Sequence, residues 1–226
     1  RQIVLLVLFF ISLGVTGQTY EVGVFAGGAN TISDVGRTNY ILPSDIAFGG
    51  ILNGTRANDM HGGEGYVGKV SADDTKSNST ARQQRGYVVD NSILEGSLGL
   101  EFNFVEYNLH KLGPAFTPYL YTGVTYFRYD FEYFNGGVLQ ETSQRDGSFA
   151  IPMTVGFKYR INQFLIFGAE IGARYTFTDN LDASNPVGSN FEQFRFGNIF
   201  SDDWYVFSGV TLTYTFGRKL CTDCFE

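Results

Sequence analysis

The sequence predicts an all-β fold: an eight-stranded antiparallel transmembrane β-barrel of the outer-membrane type, with long extracellular loops and short periplasmic turns. Three observations predict it. Apolar residues recur at every second position over stretches longer than the about five or six residues usual in a soluble sheet, and near the roughly 9–11 that a tilted strand needs to cross a bilayer. The segments between these stretches are alternately long and short, as in outer-membrane barrels. The face opposite the apolar stripe carries small residues with charges of both signs, which suits a narrow interior.

The alternation is clearest over residues 149–177. Phe149, Ile151, Met153, Val155, Phe157 and Tyr159 alternate with Ala150, Pro152, Thr154, Gly156, Lys158 and Arg160. After the break at 161–163, Leu165, Phe167, Ala169, Ile171, Ala173, Tyr175 and Phe177 take one face, and Gly168, Glu170, Gly172 and Arg174 the other. A period of two puts successive side chains on opposite faces of a strand, and so brief a break makes the pair a hairpin. These are the sixth and seventh expected strands. The first covers 20–27, the second 45–52 and the third 65–71. The fourth, 89–104, sets Leu94, Leu98, Leu100, Phe102 and Phe104 against Glu95, Ser97, Gly99, Glu101 and Asn103. In the fifth, 117–130, Tyr119, Tyr121, Phe127 and Tyr129 read as an interfacial girdle, although Leu120, Val124 and Tyr126 leave its orientation open. The eighth, 203–216, sets Trp204, Val206, Val210, Leu212, Tyr214 and Phe216 against Tyr205, Phe207, Gly209 and three threonines. The connections 29–44, 72–87, 131–146 and 178–202 are long and polar; 53–64 and 106–116 are shorter. Long loops therefore lie outside and turns in the periplasm, and the even strand count puts both ends of the barrel on the periplasmic side.

The 226 residues suffice for one domain, and 28 Gly, 22 Phe and 14 Tyr beside 17% charged residues make a β-rich, aromatic composition. A net charge of −7 without any Lys/Arg run argues against a nucleic-acid partner. Residues 1–17 read as a secretory signal peptide lacking its initiator: Arg1, an apolar run over 3–13, and the small-residue site Val15-Thr16-Gly17. The run is shorter than the roughly 20 residues of a membrane-spanning helix. The barrel is then expected over 18–216 with a periplasmic tail over 217–226, at the cell outer membrane. Cys221 and Cys224 are the only cysteines. A zinc site needs more ligands and a thioredoxin-like motif needs a βαβ setting, which leaves a local disulfide or two free thiols.

Alternation serves a lipid-facing barrel and a soluble lipocalin-like one alike, so the polar face decides. It carries Glu95, Glu101, Lys158, Glu170 and Arg174 among Gly, Ser, Thr and Asn. A solvated outer face would favour more Lys and Glu and fewer glycines. Charges in a cramped lumen are costly unless paired, so these five are expected to form an interior ionic network. Eight strands leave no water-filled pore.

Other chemistry is thinly supported. Gly63-x-Gly65-x-x-Gly68 fits a dinucleotide fingerprint by letter but falls in an expected strand with no helix to follow. Asp73, Asp74, Asp179 and Asp182 are loop acids that could collect divalent ions at the surface, with solvated loops the plainer account. His61 and His110 both map to the periplasmic side, so a barrel enzyme lacks a general base at the outer rim. No catalytic residue, cofactor, metal or small-molecule substrate is expected.

Several stretches carry a resemblance: GVFAGGANTISDVG (23–36), LPSDIAFGGIL (42–52), SADDTKSNSTARQQRG (71–86), LEFNFVEYNLHKLGPAFTPYLYTGV (100–124) and the terminal YTFGRKLCTDCFE. Together they resemble the PorG-like outer-membrane barrels of the Bacteroidota type IX secretion system, a machinery that in some members also serves gliding motility. Residues 53–64, NGTRANDMHGGE, depart from the short tryptophan-containing turn of that family. The resemblance implies a non-enzymatic barrel in outer-membrane lipid that ties a periplasmic ring of PorK- and PorN-like proteins to the membrane. On that reading the turn 106–114 and the tail face the ring, with Tyr107, His110, Arg218 and Lys219 as candidate contacts; an ordinary solvated turn and tail is the plainer account. A stand-alone OmpX-like surface barrel whose loops bind external partners is the first alternative, and a barrel enzyme the second.

Overall fold

A computed structural model describes residues 19–56, 59–105, 115–198 and 200–217. Eight strands follow in order: β1 (Thr19–Ile32), β2 (Asp45–Arg56), β3 (Asp59–Asp73), β4 (Val88–Asn103), β5 (Phe116–Asn135), β6 (Val138–Arg160), β7 (Leu165–Thr176) and β8 (Trp204–Phe216). Each pairs antiparallel with the next, and β8 returns to β1 through pairs such as Val22↔Tyr214 and Ile32↔Trp204 to close the barrel. Closure leaves no sheet edge, which lipid would not tolerate.

The wall is apolar outside and polar inside. On β4, Leu98 is 75% exposed while its neighbour Ser97 is 3% exposed and Glu101 is 3% exposed. The same alternation holds on β6 and β7, where Val155, Phe157 and Ile171 look outward and Thr154, Lys158 and Glu170 are buried. From Leu94 on β4 to Phe104 just past its end, the outward residues extend about 25 Å along the normal of a wall tilted by about 40°, the height of a bilayer-facing band. Aromatic pairs bound that band. At the lower end Tyr20 stacks on Phe216 and Phe164 on Tyr214; at the upper end Tyr126 meets Phe149 and Tyr175 meets Trp204. Among the described residues no helix is long and apolar enough to cross a membrane.

Three expectations change. Tyr119, Tyr121, Phe127 and Tyr129 are buried in the barrel and Leu120, Val124 and Tyr126 face out, so the girdle on β5 is built by Tyr126 and not by the other four. Burying phenol hydroxyls near carboxylates, and leaving aliphatic carbon to lipid, satisfies both faces. The segment 53–64 is mostly strand: Leu52 pairs with Gly63, Asn53 with Gly62 and Arg56 with Asp59. Its glycines hide the apolar alternation that marks a strand. The segment 131–146 is a tall hairpin, turned by Gly136 (φ 59°) and Gly137 (φ 85°), the left-handed pair that a two-residue hairpin turn requires.

Above the wall the remaining long connections fold into a cap. It includes a short helix, α1 (Thr80–Arg85), ended by Gly86 in the left-handed region. Val35, Ala72, Val89, Phe134 and Ala183 form its apolar centre, flanked by Tyr87, Leu139 and Phe196. Tyr87 stacks on Phe134 with ring centroids 4.0 Å apart.

Candidate functional site

The lumen is filled by side chains in three tiers. In the lowest, the Lys158 ammonium donates to both carboxylate oxygens of Glu101, at 2.7 and 2.8 Å, and to Glu21 at 3.2 Å. In the middle, Tyr66 donates to Glu170 at 2.7 Å and lies 3.3 Å from Glu64, while Tyr119 donates to the other oxygen of Glu170 at 2.5 Å. In the highest, Arg174 donates two bonds to Glu95 Oε1, at 2.9 and 3.1 Å, and one to Thr154; Tyr205 donates to Glu95 Oε2. The Arg174 guanidinium also lies 5.2 Å from the Tyr66 ring and 5.4 Å from the Phe207 ring.

Inward glycines make room for these groups. A Cβ at Gly172 would collide with Arg174 and Thr154, and one at Gly156 would come within 2.6 Å of the Tyr119 ring. An eight-stranded interior is only just wide enough for side chains, so each large residue needs a small neighbour. Buried rings and aliphatic groups, among them Phe25, Ile93, Phe127, Leu181 and Phe207, pack against Tyr66 and Tyr205 in one apolar cluster.

All five residues expected in the lumen, Glu95, Glu101, Lys158, Glu170 and Arg174, are buried there. Their pairing differs from simple neighbourhood on β7: Glu170 is held by two tyrosines, while Arg174 reaches across to Glu95 on β4. Glu21, Glu64 and Arg160 are buried too and were not singled out. Glu21 and Arg160 were legible on the polar faces of their strands; Glu64 was hidden by the apparent turn at 53–64. The fingerprint glycines Gly63, Gly65 and Gly68 lie within β3. Cys221, Cys224, Tyr107, His110, Arg218, Lys219 and the stretch 1–17 lie outside the described residues.

The cap is tied by buried carboxylates, which corrects the reading of Asp74, Asp179 and Asp182 as solvated loop acids, whereas Asp73 stays partly exposed. Asp74, fully buried, accepts from the backbone N–H of Gly36 at 2.8 Å and of Tyr87 at 3.2 Å, and from Arg85 at 2.7 and 3.0 Å. Asp182, also fully buried, accepts from the N–H of Val35 and Ser184, and Asp203 accepts from the N–H of Leu181. Arg82 donates to the carbonyls of Ser33 and Gly36. Burial pushes the carboxyl of Asp179 up to about 7 and raises those of Asp182 and Asp203 above the usual range. Among the described residues no group of three or more His, Cys, Asp or Glu is arranged to hold a metal ion.

A family model, a domain of unknown function designated DUF6089, matches residues 1–225. The chain belongs to the DUF6089 family. A search of curated proteins returned no significant match. Among solved structures this DUF6089 chain is similar to the N-terminal β-barrel domain of Pseudomonas aeruginosa OprF, with a TM-score of 0.45, 12% identity, and coverage of 88% of this chain and 97% of that one. Neisserial surface protein A matches with a TM-score of 0.47 and 10% identity over 88% of this chain and 96% of that one. The Yersinia pestis attachment invasion locus protein, Ail, matches with a TM-score of 0.45 and 11% identity over 89% and 100%.

Proposed function

We propose that this DUF6089 chain resides in the outer membrane as a non-enzymatic component of a type IX protein secretion machinery, where it anchors a periplasmic ring of PorK- and PorN-like proteins. The observation that carries the proposal is the closed lumen: three tiers of ion pairs and phenols packed with buried aromatic rings beneath a folded cap. A barrel so filled offers its two ends and its outer wall as working surfaces, which suits an anchor. The sequence blocks at 23–36, 42–52, 71–86 and 100–124 supply the link to the PorG-like barrels. The periplasmic end, with the turn 106–114 and the tail 217–226, is the ring-facing side on this reading, and Tyr107, His110, Arg218 and Lys219 are its candidate contacts. Deleting 217–226 and recovering the barrel with its ring proteins from detergent extracts tests the tail: undiminished recovery removes it from the interface. Deleting the whole gene tests the role, which requires a secretion defect restored by the intact chain.

The ordered cap favours one second reading, a surface barrel whose loops bind an external partner. The two separate by phenotype. Normal secretion after deletion, with loss of a surface interaction, selects the surface barrel.

A further inference from the structure

A groove of about 430 Å³ opens on the outer flank of the barrel, between the loop 33–44 and the upper ends of β3 and β4. Its height follows from the register. Ser71 pairs with Asp90, Lys69 with Ser92, and Val67 with Leu94, where the apolar band begins. The groove therefore sits at the level of the outer-leaflet head groups, directly above exposed Ile46, Phe48, Val67 and Leu94.

The lining is mixed in a particular way. Arg37 and Lys76 supply cations, Asn39 and Ser71 supply an amide and a hydroxyl, and Asp73 and Asp90 supply carboxylate acceptors. Loop 33–44 is held in place from below: Asn30 donates to the Asn39 carbonyl and accepts from the N–H of Leu42. Two further cations lie below the groove, outside its lining. Lys69 lies one outward position beneath Ser71, and Arg128 lies beside Leu94 on β5. Both are exposed, and neither side chain has a hydrogen bond or ion pair among the described residues. From strand spacing and rise their Cα atoms are about 12 Å apart, so both long side chains can reach one head group. A cation at the edge of an apolar band extends its head toward the interface.

We propose that this groove binds the phosphorylated sugar head group of an outer-leaflet glycolipid. Lys69 and Arg128 take phosphate, with Arg37 above; Asn39, Ser71 and Asp90 take sugar hydroxyls; the apolar band below receives acyl chains. A phosphate on a sugar needs both kinds of partner, and a phosphatidylglycerol head group, with only two hydroxyls and no ring, would engage fewer of them. The proposal rests on the membrane placement above and is independent of the secretion role.

The test uses the full mature barrel in neutral maltoside micelles, with its folded state read separately by heat-modifiable gel mobility. Diphosphoryl lipid A, dephosphorylated lipid A, phosphatidylglycerol and soluble glucosamine 1-phosphate are titrated in turn. Diphosphoryl lipid A is expected to bind at least tenfold more tightly than the other three. K69Q with R37Q is expected to lower that affinity at least tenfold, while R195Q, outside the groove, leaves it unchanged. Should the double variant lose its folded mobility, K69Q alone carries the test, since its side chain supports nothing else in the barrel. Equal binding of phosphatidylglycerol, equal binding of the soluble sugar phosphate, or indifference to K69Q overturns the proposal. A barrel that folds without detergent would instead overturn the membrane placement.

Discussion

Lys158 holds two buried carboxylates at once, and this makes it the residue whose loss matters most in the lower lumen. Removing one member of a buried ion pair leaves the other charge without compensation, a cost of about 3–5 kcal/mol. Lys158→Met should therefore lower the unfolding midpoint in urea and micelles strongly, with Glu21 and Glu101 left side by side. Arg174→Met should cost a similar amount, and Arg174→Met combined with Glu95→Leu should recover much of it, because the stranded charge has gone. A double variant as unstable as the single one would refute the pairing. Gly172→Val tests the space instead of the charge: the added carbon displaces the guanidinium from Glu95, so it should destabilise although it adds apolar bulk. That Glu95, Glu101, Lys158, Glu170 and Arg174 face inward was legible from their place opposite the apolar stripe. That Glu95 partners Arg174 was not, because the two are 79 positions apart and on strands that no local pattern brings together.

At the scale of elements, the strands were read where apolar residues alternate and missed where glycine replaces them. β4, β7 and β8 were visible nearly to their ends; the facing halves of β2 and β3 were not, since Gly54, Gly62 and Gly63 carry no side chain to reveal a face. The cap was unreadable for another reason: Asp, Asn and Ser in a loop look solvated until a tertiary partner buries them. Its acids lead to a pH prediction. Asp179, Asp182 and Asp203 have carboxyls raised by burial, so their contribution to stability is fully present below the unfolded value of about 3.9 and is lost as pH rises through the folded values. For Asp179 that loss runs from about pH 4 and is nearly complete by about 7. Amide exchange at Leu181 and Ser184, corrected for its intrinsic rate, should accelerate between about pH 4 and 7, and Asp179→Asn should flatten the change. Asp74→Ala leaves Arg85 and the N–H groups of Gly36 and Tyr87 short of an acceptor. It should cost the cap about 3 kcal/mol, seen as protease cleavage within 74–87 while the barrel resists.

For the whole molecule, the outward band and inward charges require an apolar solvent outside. The folded chain should need detergent or lipid and migrate differently on gels before and after boiling; a monodisperse barrel in plain buffer would contradict this. The amino-acid sequence by itself determined that the wall is a closed sheet with one apolar face, because a period of two and strand length are local properties of the chain. It also determined which face holds the charges. Only the tertiary structure decided which acid meets which base, that the tyrosines of β5 point inward, that the loop aspartates are buried, and that loop 33–44 and β3–β4 enclose a groove. Those outcomes depend on register, shear and burial, and residues remote in the chain settle them only when the barrel closes.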